Sequence, residues 1–265
     1  MSPQPRIGHV PVNGLAMYWE SRGEGGTPLV VVHGGFGMAS MFGDLLDEFA
    51  RDRRVVALEL QGHGHTRDID RPFTHEAFGD DIAAAIEGLG LGEVDLLGYS
   101  VGAGSVLRCA IQHPDLVRRL AVACFPHRRD GWYPEIRAAF DQMGRAQFEM
   151  LRQSPMYAAW RQVAPDPEAF PTLIDKIGEL NRRDYDWSKE IRALDMPTLL
   201  VYGDADSIPP AEAAAFHALL GGGRRDAGWD SSQIGSARLA ILPGVTHYDA
   251  FASPDLLRAV SAFIA

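Results

Sequence analysis

The sequence predicts an α/β architecture: a mostly parallel, doubly wound sheet with a helical segment inserted late in the chain. Three observations lead there. Short, almost wholly apolar runs recur at residues 28–32, 55–60 and 94–97, as expected of strands covered on both faces. Between them lie stretches whose apolar residues return every three or four positions, the spacing of a helix with one buried face. From about residue 126 to 193 the strand pattern stops, and only helical segments rich in large side chains remain.

Taken in order, residues 10–19 read as a β-hairpin, because Asn13-Gly14 readily takes the positive φ angles of a two-residue turn. The apolar strand at 28–32 ends in His33-Gly34-Gly35-Phe36-Gly37, and residues 38–49 can form a helix. A second strand at 55–60 runs into Gln61-Gly62-His63-Gly64-His65-Thr66. A helix over about 74–89 leads to the strand beginning at Val94, and a further helix carries Ala103, Val106, Leu107, Ala110 and Ile111 at helical spacing. Residues 117–124 read as the next strand. In the insertion, Pro155, Pro165, Pro167 and Pro171 cut the chain into short helices. The sheet resumes at 198–202, a helix follows over about 211–220, and a strand at 238–242 and a helix over 254–264 close the chain. Residues 221–235 form a long polar loop, read as a surface excursion rather than a wall of the site or a subunit contact.

Bulk properties exclude whole classes of function. With 265 residues, 46% of them apolar, the chain can bury a full core. A net charge of −10, without basic runs, argues against nucleic acid and anionic membranes as partners. The two cysteines, Cys109 and Cys124, read as buried thiols rather than a disulfide. Neither a secretion signal nor an apolar run of membrane-spanning length is seen, so a cytoplasmic protein is expected, with a homodimer as the assembly to consider.

The chemistry centres on Gly98-Tyr99-Ser100-Val101-Gly102, a serine held between two glycines where a buried strand turns into a helix. This G-x-S-x-G pattern is that of a nucleophile elbow. The alternative is an ordinary capping serine in a turn of small residues. A serine hydroxyl needs a base to take its proton, and that base needs a partner to hold its tautomer. Later strand ends supply both: the acidic pair Asp204 and Asp206, then His247. In open parallel sheets such ends converge on one crevice. Asp249 competes as the acid but lies only two residues from the histidine.

Taken together these motifs resemble the α/β-hydrolase family over essentially the whole chain. They are His33-Gly34-Gly35, Gly62-His63-Gly64-His65-Thr66, the Gly98–Gly102 elbow, Gly203-Asp204-Ala205-Asp206 with Pro209, and His247 in the last loop. The resemblance implies Ser100 as nucleophile, Asp206 as acid and His247 as base. It places the oxyanion hole at the backbone N–H of Val101 and of Gly35, with Phe36 as second choice. It also divides the chain into a core of residues 1–125 and 194–265 and a cap of residues 126–193. Serine at position 100 sets the chain apart from epoxide hydrolases and haloalkane dehalogenases, which carry aspartate there, and from dienelactone hydrolases, which carry cysteine. Thr66 stands where serine is commoner, and loop 221–235 is longer than usual.

These readings converge on a serine hydrolase of small to medium apolar carboxylic esters, with Phe36, Trp132 and Trp160 against the substrate and no cofactor or metal. Carbon–carbon bond hydrolysis of ring-cleavage products is an alternative, for which Arg128, Arg129 and Arg145 are available cations. Cofactor-free haloperoxidase or perhydrolase chemistry is another, and a ligand-binding receptor with a vestigial triad is the non-enzyme reading. His33 is read as structural. His63 and His65 lack further ligands to complete a metal set, and the glycines at 34, 35 and 37 lack the lysine of a phosphate loop.

Overall fold

The computed structural model describes residues 4–265. An eight-stranded sheet has the order β1-β2-β4-β3-β5-β6-β7-β8. Strands β1 (Arg6–Val12) and β2 (Leu15–Arg22) form an antiparallel hairpin that extends the predicted one at both ends, with Asn13 and Gly14 at positive φ in its turn. β2 runs antiparallel to β4, and every pairing from there on is parallel.

β3 (Leu29–Val32) is buried along its length. The helix expected over 38–49 is instead a 3-10 turn (Ala39–Phe42) and a short helix α1 (Leu45–Phe49), separated at Gly43, whose φ of 50° no continuous helix accommodates. β4 (Val55–Leu58) follows, then α2 (His75–Gly88), whose N-cap Thr74 accepts a hydrogen bond from the Ala77 N–H at 2.9 Å. β5 (Val94–Tyr99), α3 (Val101–Gln112) and β6 (Val117–Ala123) complete the first half.

Residues 126–193 contain α4 (Pro134–Asp141), α5 (Phe148–Leu151), α6 (Pro155–Val163), α7 (Phe170–Arg182) and α8 (Ser188–Ile191). The chain leaves and re-enters the sheet through a narrow neck. There Arg128 and Asp186 form an antiparallel bridge, Trp187 N–H donates to the His127 carbonyl at 3.0 Å, and Arg129 N–H donates to the Tyr185 carbonyl at 2.9 Å. β7 (Thr198–Ala205) and β8 (Ala237–Thr246) both run further than predicted, because they continue pairing past an irregularity at Gly203/Ala205. α9 (Pro210–Leu219) lies between them and α10 (Pro254–Ile264) ends the chain.

Strand alternation sorts the core into two layers. Val30 and Val32 face one cluster with Phe78, Ile82 and Ile86 of α2 and Phe216 of α9, while Leu29 and Val31 face the other with Phe49 of α1 and Leu256, Val260 and Ile264 of α10. The first layer continues into the insertion through Trp160, Phe170, Ile174 and Ile177. Each such fully buried large side chain contributes ~1.5–3 kcal/mol. Loop 221–235 lies beside α9 and β8, away from the strand ends that carry Ser100, Asp206 and His247. Among the described residues, no helix is long and apolar enough to cross a membrane.

Candidate active site

The site begins with backbone constraint. Ser100 stands between β5 and α3 at φ 53°, ψ −121°, a conformation non-glycine residues rarely adopt and one that costs ~1–3 kcal/mol. It holds because both sides of the turn are in close contact with their surroundings. A Cβ at Gly98 would meet the backbone at Gly102 and Ala103, and one at Gly102 would meet the carbonyls of Val32 and His33. The Ser100 N–H donates to the Ala123 carbonyl of β6 at 2.9 Å, tying the turn to the neighbouring strand.

Around that turn the strand ends bring together residues far apart in sequence. Ser100 Oγ lies 3.1 Å from His247 Nε2, and His247 Nδ1 lies 2.8 Å from Asp206 Oδ1. The Asp206 side chain is fully buried and His247 nearly so. The loop bearing His247 is held by Tyr99, whose hydroxyl donates to the His247 carbonyl, while the Trp132 ring meets the imidazole edge-on with centroids 5.5 Å apart. Burial pushes the Tyr99 phenol far above its ordinary range, so it stays a donor.

The two other acids have different partners. Asp204 Oδ1 accepts from the Gly244 N–H at 2.7 Å, clasping the bulged end of β8 to β7. Asp204 thus bonds across the strand pair rather than within its own turn. Asp249 Oδ1 accepts from the Thr246 N–H at 2.7 Å and the Thr246 hydroxyl at 2.8 Å, which holds its carboxyl below the usual range and engages it away from the imidazole.

Gly35 and Val101 face one another: a Cβ on Gly35 would lie 3.2 Å from Val101 Cγ2. Among the described residues, no protein acceptor takes the N–H of Gly35, Phe36 or Val101. Val101 opens α3, so its N–H belongs to the unpaired first turn of a helix, where negative charge is favoured.

These groups open on a cavity of about 390 Å³. Phe36, Trp132, Phe140, Met143 and Ile177 give it an apolar wall, and no Lys, Arg, Asp or Glu is among its lining residues. Trp160, expected beside Trp132, is not part of that wall. Its indole N–H donates to the Gly62 carbonyl at 3.3 Å and its ring packs 4.9 Å from Phe170, so it joins the insertion to the loop after β4 and borders a different cavity. Sequence reading missed Asn181, Ser207 and Tyr248, which also line the site cavity. Ser207 and Tyr248 immediately follow the predicted acid and base, and that adjacency was the available signal; Asn181 carried none.

The three cations weighed for an acidic substrate are engaged elsewhere. Arg128 pairs with Glu212 at 3.0 Å, Arg129 with Asp141 at 2.6 Å and Arg145 with Asp175 at 2.5 Å. His33 is fully buried, its Nδ1 on the Gly34 carbonyl at 2.7 Å and its Nε2 accepting from the Leu60 N–H at 3.1 Å, a bonding pattern that requires the neutral ring. His63 bonds the Gln61 carbonyl and His65 the buried Glu59 carboxylate, so the two imidazoles serve separate partners. Cys124, Asp206 and His247 present donor atoms within 4.8 Å of one another. Burial holds the Cys124 thiol well above its ordinary range, and Asp206 and His247 are already joined to one another and to Ser100.

Comparison with known proteins finds a matching family and similar chains. A family model described as the alpha/beta hydrolase fold matches residues 27–158. A pimeloyl-[acyl-carrier protein] methyl ester esterase of Neisseria meningitidis serogroup B is 28% identical over 84% of this chain and 89% of its own. A non-heme haloperoxidase of Rhodococcus erythropolis is 25% identical over 89% of this chain and 90% of its own. The crystal structure of an E-2-(acetamidomethylene)succinate hydrolase, 20% identical, superposes with a TM-score of 0.77 over 98% of this chain and 99% of that one, a likeness of fold.

Proposed function

The chain belongs to the α/β-hydrolase family, and from that premise we propose that it is a serine hydrolase cleaving small to medium, uncharged carboxylic esters through an acyl-enzyme. The observation that carries the reading is the unbroken relay of Ser100 Oγ, His247 and Asp206, at 3.1 and 2.8 Å, facing an apolar cavity.

In this mechanism Ser100 Oγ attacks the ester carbonyl while His247 Nε2 takes its proton. Asp206 keeps the Nδ1 proton in place and stabilises the imidazolium as it forms. The negative charge reaching the carbonyl oxygen meets the free N–H groups of Val101 and Gly35, which are worth most where water is excluded. Collapse of the tetrahedral intermediate breaks the bond to the alkoxy oxygen, and His247 returns the proton so that alcohol leaves. Water, deprotonated by the same imidazole, then attacks the acyl-enzyme; the acid departs and Ser100 regains its proton.

The ester reading draws support from the relatives that are ester hydrolases and from the cavity wall, which offers no cation for the carboxylate of a ring-cleavage product. The test is covalent labelling. A fluorophosphonate should add one equivalent to the wild-type protein and none to folded Ser100→Ala, with p-nitrophenyl butyrate hydrolysis lost in parallel. Labelling and hydrolysis that survive in Ser100→Ala would refute the assignment.

A further inference from the structure

Apart from the reacting groups, the cavity contains few side chains able to hydrogen-bond a ligand. The Tyr99 hydroxyl is committed to the His247 carbonyl, Tyr248 is largely exposed, and Ser207 directly follows Asp206 beside the reacting centre. Asn181 is different. It lies on α7, four residues and one turn beyond Ile177, whose Cδ1 would lie 3.8 Å from a Cβ at Gly35. One turn is a displacement of ~6 Å along the helix axis. Asn181 therefore lines the cavity about one helical turn beyond the side chain nearest the oxyanion loop, a displacement matching ~4–5 carbons of an extended acyl chain.

Its bonding capacity is almost unused. A side-chain amide offers two donors and two lone pairs. Among the described residues, its Nδ2 meets only the Met143 thioether, at 3.7 Å, and its Oδ1 accepts from no protein group. The Arg129 guanidinium that reaches this residue bonds its backbone carbonyl instead, at 3.2 Å. A half-buried amide set in a largely apolar wall has bonding capacity to spare and becomes a recognition element when a ligand group takes the place of water on it.

We propose that Asn181 determines specificity, its amide binding a neutral carbonyl or hydroxyl group on the acyl chain about four or five carbons from the ester carbon. This rests on the serine-hydrolase reading and narrows its substrate class to oxygenated, uncharged acyl esters. An anionic group would find no counter-charge on this wall, and a purely hydrocarbon chain would leave the amide unpaired.

The experiment compares p-nitrophenyl hexanoate with p-nitrophenyl 5-oxohexanoate, as kcat/KM, in the wild type, Asn181→Leu and the near-isosteric Asn181→Asp. The wild type should favour the oxo ester by about 3–10-fold, the worth of one neutral hydrogen bond. Both variants should lose that preference, read as the ratio of kcat/KM for the two esters within each protein. The same pair as methyl esters is titrated calorimetrically into Ser100→Ala and Ser100→Ala/Asn181→Asp, and the Kd ratio should show the same loss. An oxo preference that is absent from the wild type, or that persists in the variants, overturns the role of Asn181. Absence of turnover of either ester overturns the hydrolase reading instead, and the Kd ratios still judge Asn181.

Discussion

At the residue scale the two aspartates of the Gly203–Asp206 segment are separated by what each holds. Asp206 holds the imidazole and Asp204 the bulged end of β8. Asp206→Asn should keep its melting temperature but lower kcat by up to ~10⁴, because an amide favours the wrong histidine tautomer. Asp204→Ala should remain active and cost ~1 kcal/mol, the loss of one acceptor. Stopped assays beside thermal melts of the two variants check both, and the reverse pattern would exchange their roles. Trp132 and Trp160 also part company. Trp132 meets both His247 and the cavity, so Trp132→Ala should change acyl-length preference. Trp160→Ala should cost ~3–5 kcal/mol in a urea melt and leave that preference unchanged. Ser100, the pair Asp204 and Asp206, and His247 were legible in the sequence because each follows a strand recognisable by composition, while the choice of Asp206 within the pair came from the family resemblance. Which of two tryptophans faces the cavity depends on the direction of short, proline-cut helices, and no local pattern encodes that.

At the element scale the legible features were those with a strong local cause. The period of α2 and α3, the Asn13-Gly14 turn and the apolar run of β3 were read within a few residues of where they lie. The break at Gly43 was not, because a glycine inside a helical pattern signals a stop only when tertiary packing demands positive φ. The extra length of β7 and β8 was hidden for a similar reason. Gly203, Pro243 and Gly244 read as strand ends, yet pairing resumes beyond the irregularity, and a Cβ at Gly203 would collide with the Val245 carbonyl. That contact makes a prediction. Gly203→Ala should separate the ends of β7 and β8, cost ~1–3 kcal/mol and lower kcat with it, since those ends carry both Asp206 and His247. Hydrogen exchange at Gly244, whose N–H bonds Asp204 of β7, would report the separation; unchanged protection with full activity would contradict it.

At the scale of the whole molecule, three buried imidazoles govern the response to acid. Burial lowers His33 to about 3, His63 to about 4 and His75 to about 3, with the neighbouring His63 adding to the effect on His33 and the Arg108 charge to that on His75. Unfolded, each titrates near 6.5, so between about pH 4 and 6.5 the unfolded chain binds more protons than the native one. Stability is therefore fully present above pH 6.5 and lost as pH falls, by up to ~1.4 kcal/mol per pH unit for each imidazole. His65, raised by its bond to Glu59, acts oppositely but only above this window. Urea midpoints measured from pH 8 to 4 should begin to fall near pH 6, and a flat profile down to pH 4.5 would mean that these rings are not held neutral. The neck through which residues 126–193 depart has a different kind of consequence. Because the chain exits and returns as two hydrogen-bonded neighbours, the spacing between β6 and β7 is fixed at the neck whatever the length of the excursion between them. Changes of length between Arg128 and Asp186 can then reshape the wall that Trp132, Phe140 and Met143 give the cavity while the sheet beneath keeps its register.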